Sequence, residues 1–123
     1  MEFFIPVIPR TKKNSSRIVH SKGRYFVIPS AAYKKFEKDC MPFIPHCNID
    51  YPINLQAIYH MPTRHRVDLV NLHEALCDVL VTYGCISDDN SNIVASMDGS
   101  RVVYDKANPG IEVKITKGET NEG

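Results

Sequence analysis

A chain of 123 residues has room for one compact domain and is short for two. No apolar run reaches the eighteen or so residues of a membrane-spanning helix. The start, Met1-Glu2-Phe3-Phe4-Ile5-Pro6, lacks the basic segment and small-residue cleavage site of a secretory signal, so a cytoplasmic location is expected. A net charge of +1 conceals an asymmetry. Residues 1–66 hold eleven Lys/Arg against four Asp/Glu, and residues 67–123 hold four against ten, so the halves stand at +7 and −6. That pattern suggests a basic surface for a polyanion, with acids gathered elsewhere.

In chain order, Phe3 to Ile8 is apolar but punctuated by Pro6 and Pro9, which fits an N-terminal edge strand. Arg10 to Ser16 (R-T-K-K-N-S-S) is a polar, basic loop. Arg17 to His20 and Arg24 to Ile28 read as strands joined by the turn Ser21-Lys22-Gly23. Ser30 is a good N-cap for a helix over 31–40, with Ala32, Tyr33, Phe36 and Cys40 as its apolar stripe. Pro42 and Pro45 end or kink it. Ile53 to His60 alternates and predicts a strand. Met61 to Val67 is a basic loop. The clearest helix follows, its core face marked by Leu72, Ala75, Leu76, Val79, Leu80 and Tyr83, with Gly84 placed to cap its end. Asn71, Glu74 and Asp78 fall on a second face. Ile93 to Tyr104 is strand-rich around the turn Asp98-Gly99-Ser100. Asn108-Pro109-Gly110 turns into a last strand over 111–115. This order predicts an α+β fold, a single domain over 1–116 with a mixed sheet and two main helices packed on it, followed by a polar tail over 117–123.

Cys40, Cys47, Cys77 and Cys85 form no C-x-x-C pair and are expected to be reduced, partly buried thiols. His20, His46, His60, His65 and His73 make no metal-binding motif, although His65 is placed to touch a phosphate. The carboxylates are more telling. Asp68 precedes the second helix, Glu74 and Asp78 project from it, and Asp88-Asp89 lie beyond it. Mg²⁺ prefers oxygen ligands, and one to three carboxylates suffice. A helix of about a dozen residues is some 18 Å long, so Asp89 comes beside Asp68 only if the chain folds back. Lys12, Lys13, Arg17, Arg64 and Arg66 are available to hold a phosphate backbone. Taken singly, each feature has an ordinary explanation: a helix cap for Asp68 and Asn71, a solvated turn for Asp88-Asp89, a wet helix face for Glu74 and Asp78. Taken together they point to a small metal-dependent nuclease.

The block D-L-V-N-L-H-E-A-L-C-D-V-L (68–80), then Y-G-C-I-S-D-D-N (83–90), resembles the RusA family of Holliday junction resolvases. That family carries D-x-D-N-L, an acid-ended helix and a D-D pair at this distance. K-K-N-S-S (12–16), followed by basic hairpin strands, is similar to its N-terminus. The resemblance implies a homodimeric endonuclease, often of phage or prophage origin, that uses Mg²⁺ or Mn²⁺ to cut four-way junction DNA by paired nicks in recombination and repair. It implies no membrane and no small-molecule cofactor. Asp68 matches the first catalytic Asp, Asp89 the second Asp of the D-D pair, and Asn71 the motif's Asn. The implied DNA contacts are Lys12, Lys13, Asn14, Arg17, Arg64 and Arg66. Two positions depart from the pattern. The second Asp of D-x-D-N is Val70, and the Lys expected four residues later is Glu74. The expectation is therefore a rewired site: Asp68, Glu74 and Asp89 as catalytic metal ligands, with Asp78 in support. The alternative is a non-catalytic junction-binding protein derived from such a nuclease.

Overall fold

A computed structural model describes residues 1–12 and 16–118 of the chain. Its elements are β1 (Glu2–Ile5), β2 (Ser16–Ser21), β3 (Arg24–Pro29), α1 (Ala31–Cys40), a 3₁₀ turn (Met41–Phe43), β4 (Ile53–Met61), α2 (Leu69–Thr82), β5 (Val94–Ser96), β6 (Arg101–Tyr104) and β7 (Gly110–Lys117). This is the mixed sheet with two helices that the element order predicts.

β4 is the sheet's centre because it is long and alternates cleanly. Ile53, Leu55, Ala57 and Tyr59 are all fully buried. One edge of β4 pairs antiparallel with β7, and β7 pairs antiparallel with β1. Along its other edge β4 pairs in parallel with β5 and then β6. Parallel neighbours cannot be joined by a tight turn; they need a crossover. α2 supplies it, so the helix starts just beyond the carboxyl end of β4. β2 and β3 form a separate antiparallel hairpin, with Lys22 and Gly23 at its turn.

α1 is capped as its sequence predicts: the Ser30 hydroxyl accepts from the Tyr33 N–H at 3.2 Å. Tyr33, Phe36 and Cys40 are buried. Ala32 is not. It is exposed in the first turn, so the buried stripe begins at Tyr33. α2 buries Leu72, Ala75, Leu76, Cys77, Val79 and Leu80. Each fully buried leucine contributes about 1.5–3 kcal/mol relative to exposure. Tyr83 is only partly buried and packs against the rim of the core. Gly84 takes the left-handed conformation (φ 77°), and its N–H donates to the Val81 carbonyl, which closes the helix. β7 runs to Lys117, into the region expected to be tail, and the Gly118 N–H donates to the Pro52 carbonyl at 2.8 Å.

All four cysteines are free thiols, and burial pushes Cys40, Cys77 and Cys85 up to about 12. These three stay protonated and behave as small apolar groups.

Candidate active site

Asp68 is the N-cap of α2. Its backbone is extended, and its Oδ1 accepts from the Val70 N–H at 2.9 Å. The capping role read from the sequence is therefore real, and it leaves the second carboxylate oxygen for other partners. Val70 is 70% exposed on the first turn. An apolar residue in that position has no packing reason. Asn71 is half-buried, and Glu74 is exposed one turn after Val70.

After α2 the chain does fold back. The Ile86 N–H reaches the Leu80 carbonyl, Ile49 and Ile86 form a parallel bridge, and the Ser87 N–H donates to the Ile49 carbonyl. The next residues, Asp88 and Asp89, divide their labour. The Asp88 carboxylate accepts from the Asp89 N–H at 2.7 Å. That bond and its contacts to Asn90 hold the exposed Asp88 carboxyl below its ordinary range. Asp88 thus shapes the turn. Asp89 is carried into a cavity of about 290 Å³ lined by Lys12, Tyr33, Glu37, Asp78, Val81, Thr82 and Asp89. The fold-back brings Asp89 to the level of Asp78. Asp68, ten residues before Asp78, lies about 15 Å away along the helix. Neither Asp68 nor Glu74 lines the cavity.

Lys12 places its ammonium 3.4 Å from Asp78 Oδ2. Half-exposed pairs of this kind contribute little to stability. This one matters as a junction between the basic N-terminal loop and the acidic helix, 66 positions apart. Charges opposed along the sequence thus meet at one place in the fold. Lys13 and Asn14 lie outside the described residues, as does the side chain of Arg17, whose backbone is in β2.

Arg64 is positioned by the sheet. Met61 and Tyr104 pair at the carboxyl ends of β4 and β6, so the loop after β4 passes over the Tyr104 ring. The Arg64 guanidinium carbon sits 4.3 Å from that ring's centroid. Arg66 and His65 are exposed in the same loop, immediately before Asp68. Arg64→Ala is expected to weaken binding to all DNA sequences alike and to flatten the salt dependence of affinity by about one unit. Fluorescence anisotropy across a salt series measures this, and an unchanged slope would place Arg64 away from the DNA.

Two histidines are structural. Tyr59 Oη and His73 Nδ1 are 2.8 Å apart, and burial lowers the pKa of His73. A neutral His73 and the protonated Tyr59 hydroxyl share this hydrogen bond, its direction set by the imidazole tautomer. His60 lies between Asp105 (3.2 Å) and Glu112 (2.6 Å), tying β4 to the β6–β7 connection and to β7.

Among the described residues, no three His, Cys, Asp or Glu side chains converge closely enough to hold a metal ion by themselves. The cavity nonetheless fits a hard divalent cation. It offers three carboxylates from different segments, Glu37, Asp78 and Asp89, and Mg²⁺ is commonly bound through one or two carboxylates plus waters and substrate phosphates. Tyr33 also lines it, with its hydroxyl buried and without a hydrogen-bond partner. Tyr33 and Glu37 carry no motif. The helical pattern of α1 marks Tyr33 as core, and nothing in the sequence shows that its ring ends at an acid cavity.

The family profile of Endodeoxyribonuclease RusA matches residues 6–116, and the chain belongs to that family. In general terms this makes it a Holliday junction resolving endonuclease. Comparison with curated proteins gives no match.

Proposed function

We propose that the protein is a Mg²⁺-dependent endodeoxyribonuclease, with Mn²⁺ as a competent substitute, that resolves four-way DNA junctions as a homodimer. Paired nicks need two sites facing opposed strands, and a two-fold dimer of a single-site domain supplies them. The observation that carries the reading is the meeting of Asp78, Asp89 and Lys12 in one cavity. Asp78 and Asp89 are the proposed seat of the cation. When bound, the cation supplies Lewis-acid polarisation of the phosphate and a lowered pKa for attacking water. Asp68 and Glu74, toward the N-terminal end of the same helix, are the second proposed carboxylate group. About 15 Å of helix separates Asp68 from Asp78, so one ion does not bridge them. The two groups act at different points of the backbone. Arg64 and Arg66 hold that backbone on the approach to Asp68, and Lys12, Lys13, Asn14 and Arg17 hold it on the side of the hairpin.

A second reading, a junction-binding protein without catalysis, draws on one specific observation. Val70 stands exposed where the family motif has a carboxylate. A synthetic four-way junction with labelled strands, incubated with Mg²⁺ or Mn²⁺ beside a linear duplex, separates the readings. Paired nicks in opposed strands of the junction are expected. Retardation of the junction with intact strands at every metal concentration would leave only the binding protein. In the same assay Glu74→Gln is expected to raise the Mg²⁺ needed for half-maximal cleavage and to slow it as severely as Asp68→Asn. Unchanged rate and Mg²⁺ dependence in Glu74→Gln would mean that this residue does not compensate for Val70.

A further inference from the structure

Arg64 rests on Tyr104, and the two residues are held with very different firmness. Tyr104 ends β6 in register with Met61. The residue after it is anchored three times. The Asp105 N–H donates to the Met61 carbonyl at 2.8 Å, and the Asp105 carboxylate meets the His60 ring at 3.2 Å and accepts from the Asn108 N–H at 3.0 Å. Arg64, by contrast, belongs to the irregular loop between β4 and α2. Among the described residues no carboxylate pairs with it; the cations in ion pairs are Lys12, Lys35, His60 and Lys114. Tyr104 is 45% exposed and lies outside the hydrophobic core, so packing does not call for an aromatic ring at this position. What the ring does support is the Arg64 guanidinium, whose carbon stands 4.3 Å from its centroid.

We propose that Tyr104 is a positioning residue for DNA binding, holding the Arg64 guanidinium ready to take a backbone phosphate on the approach to Asp68. The proposal rests on the reading of the protein as a junction nuclease whose Arg64 touches DNA. A guanidinium carries five N–H donors in one plane, and its attraction to an aromatic face acts through the charge distribution of the ring. That contact spends none of the donors. A salt bridge would also hold Arg64 in place, but it would commit those donors to a carboxylate of the protein itself. The ring fixes the group and leaves its N–H edge for the paired bonds that phosphate oxygens accept. A long side chain gives up rotamer freedom when it binds, and one that is already placed gives up less. The anchored end of β6 thus lends its rigidity to a loop that has little of its own.

The test measures affinity for a synthetic four-way junction by fluorescence anisotropy across a salt series, without divalent metal, together with thermal melting. Tyr104→Leu should bind the junction about three- to fivefold more weakly, the scale of an exposed cation–π contact. The slope of affinity against salt should stay as in the wild type, because the charge remains. Tyr104→Phe keeps the ring face and should recover most of the loss. In an Arg64→Ala background Tyr104→Leu should cost nothing more, since no guanidinium is left to position. Wild-type affinity in Tyr104→Leu beside weakened binding in Arg64→Ala would overturn the inference and leave Arg64 on the DNA. An equal loss from Tyr104→Leu with and without Arg64, whether the ring meets DNA itself or the fold is damaged, would overturn it too. Tyr104→Phe as weak as Tyr104→Leu would assign the effect to the hydroxyl, with the same result. Should Arg64→Ala bind with wild-type affinity and slope, the DNA contact and the inference fall together.

Discussion

Asp89→Asn should lose junction cleavage by at least about a hundredfold, the scale set by removing one well-placed charged or polar group from an active site. Its junction affinity should hold or rise. Asparagine keeps the shape of the side chain, so the turn after α2 should still form. What disappears is one of the three carboxylates that line the cavity. Without it the proposed cation would keep Asp78, which already faces the Lys12 ammonium at 3.4 Å. Binding persists because phosphate contacts come from other residues, and loss of a negative charge beside the backbone eases repulsion. The neighbouring substitution makes the prediction sharp. Asp88→Asn alters a residue whose carboxylate is spent on the Asp89 N–H, so its effect should be smaller and should come through the shape of the turn. Single-turnover cleavage and anisotropy on the same junction measure both quantities. If Asp88→Asn proves the more damaging of the two, the roles within the pair are reversed and the cavity is not the catalytic seat.

The sequence disclosed some of this and concealed the rest for identifiable reasons. β4 and α2 are legible because burial imposes periods of two and 3.6 on their residues, and Ile53 to Tyr59 and Leu72 to Leu80 obey them strictly. Ser30 and Gly84 are legible because caps depend on local backbone chemistry. Ala32 misleads, since a small residue costs little wherever it stands, so its spacing carries less information than that of Phe36. The acids were visible as candidates, but which of them meet is a tertiary fact. Spacing alone requires a fold-back after α2 without fixing its depth. The depth is set by the Ile49–Ile86 bridge and the Ser87 N–H bond to Ile49, contacts with a segment nearly forty residues earlier. Those contacts stop Asp89 level with Asp78. Tyr33 and Glu37 were invisible as site residues because α1 reaches the cavity only through packing. The Arg64–Tyr104 stack follows from the Met61–Tyr104 register, which no local pattern encodes.

Gly110→Ala should cost about 3 kcal/mol or more of stability, near the upper end for forcing atoms into a filled space. For a domain of this size that corresponds to a melting temperature lower by roughly 10 °C. Gly110 opens β7 opposite His60 and lies against β1. A Cβ there would stand 2.4 Å from Phe4 Cζ and 2.6 Å from the Ile5 carbonyl oxygen. Phe4 is 40% exposed and can swing aside. The carbonyl cannot, because Ile5 is fully buried and held in register with Ile111. Relief therefore requires β1 to move off β7, at the end of the sheet where Phe4 also packs edge-on against His60. Two further variants separate the causes. Gly23→Ala sits at φ 74° with no atom within 4 Å, so it feels only the left-handed backbone and should lose about 1 kcal/mol. Adding Phe4→Ala to Gly110→Ala should recover only part of the loss, since the Ile5 oxygen stays in place. Thermal melting of the three proteins reads this directly. Equal losses in Gly23→Ala and Gly110→Ala would assign the cost to backbone conformation rather than to the close approach of β1. Because this contact lies across the sheet from the β5–β6 edge, junction cleavage well below the melting temperature should be unchanged in Gly110→Ala, and a loss there would tie β1 to the site.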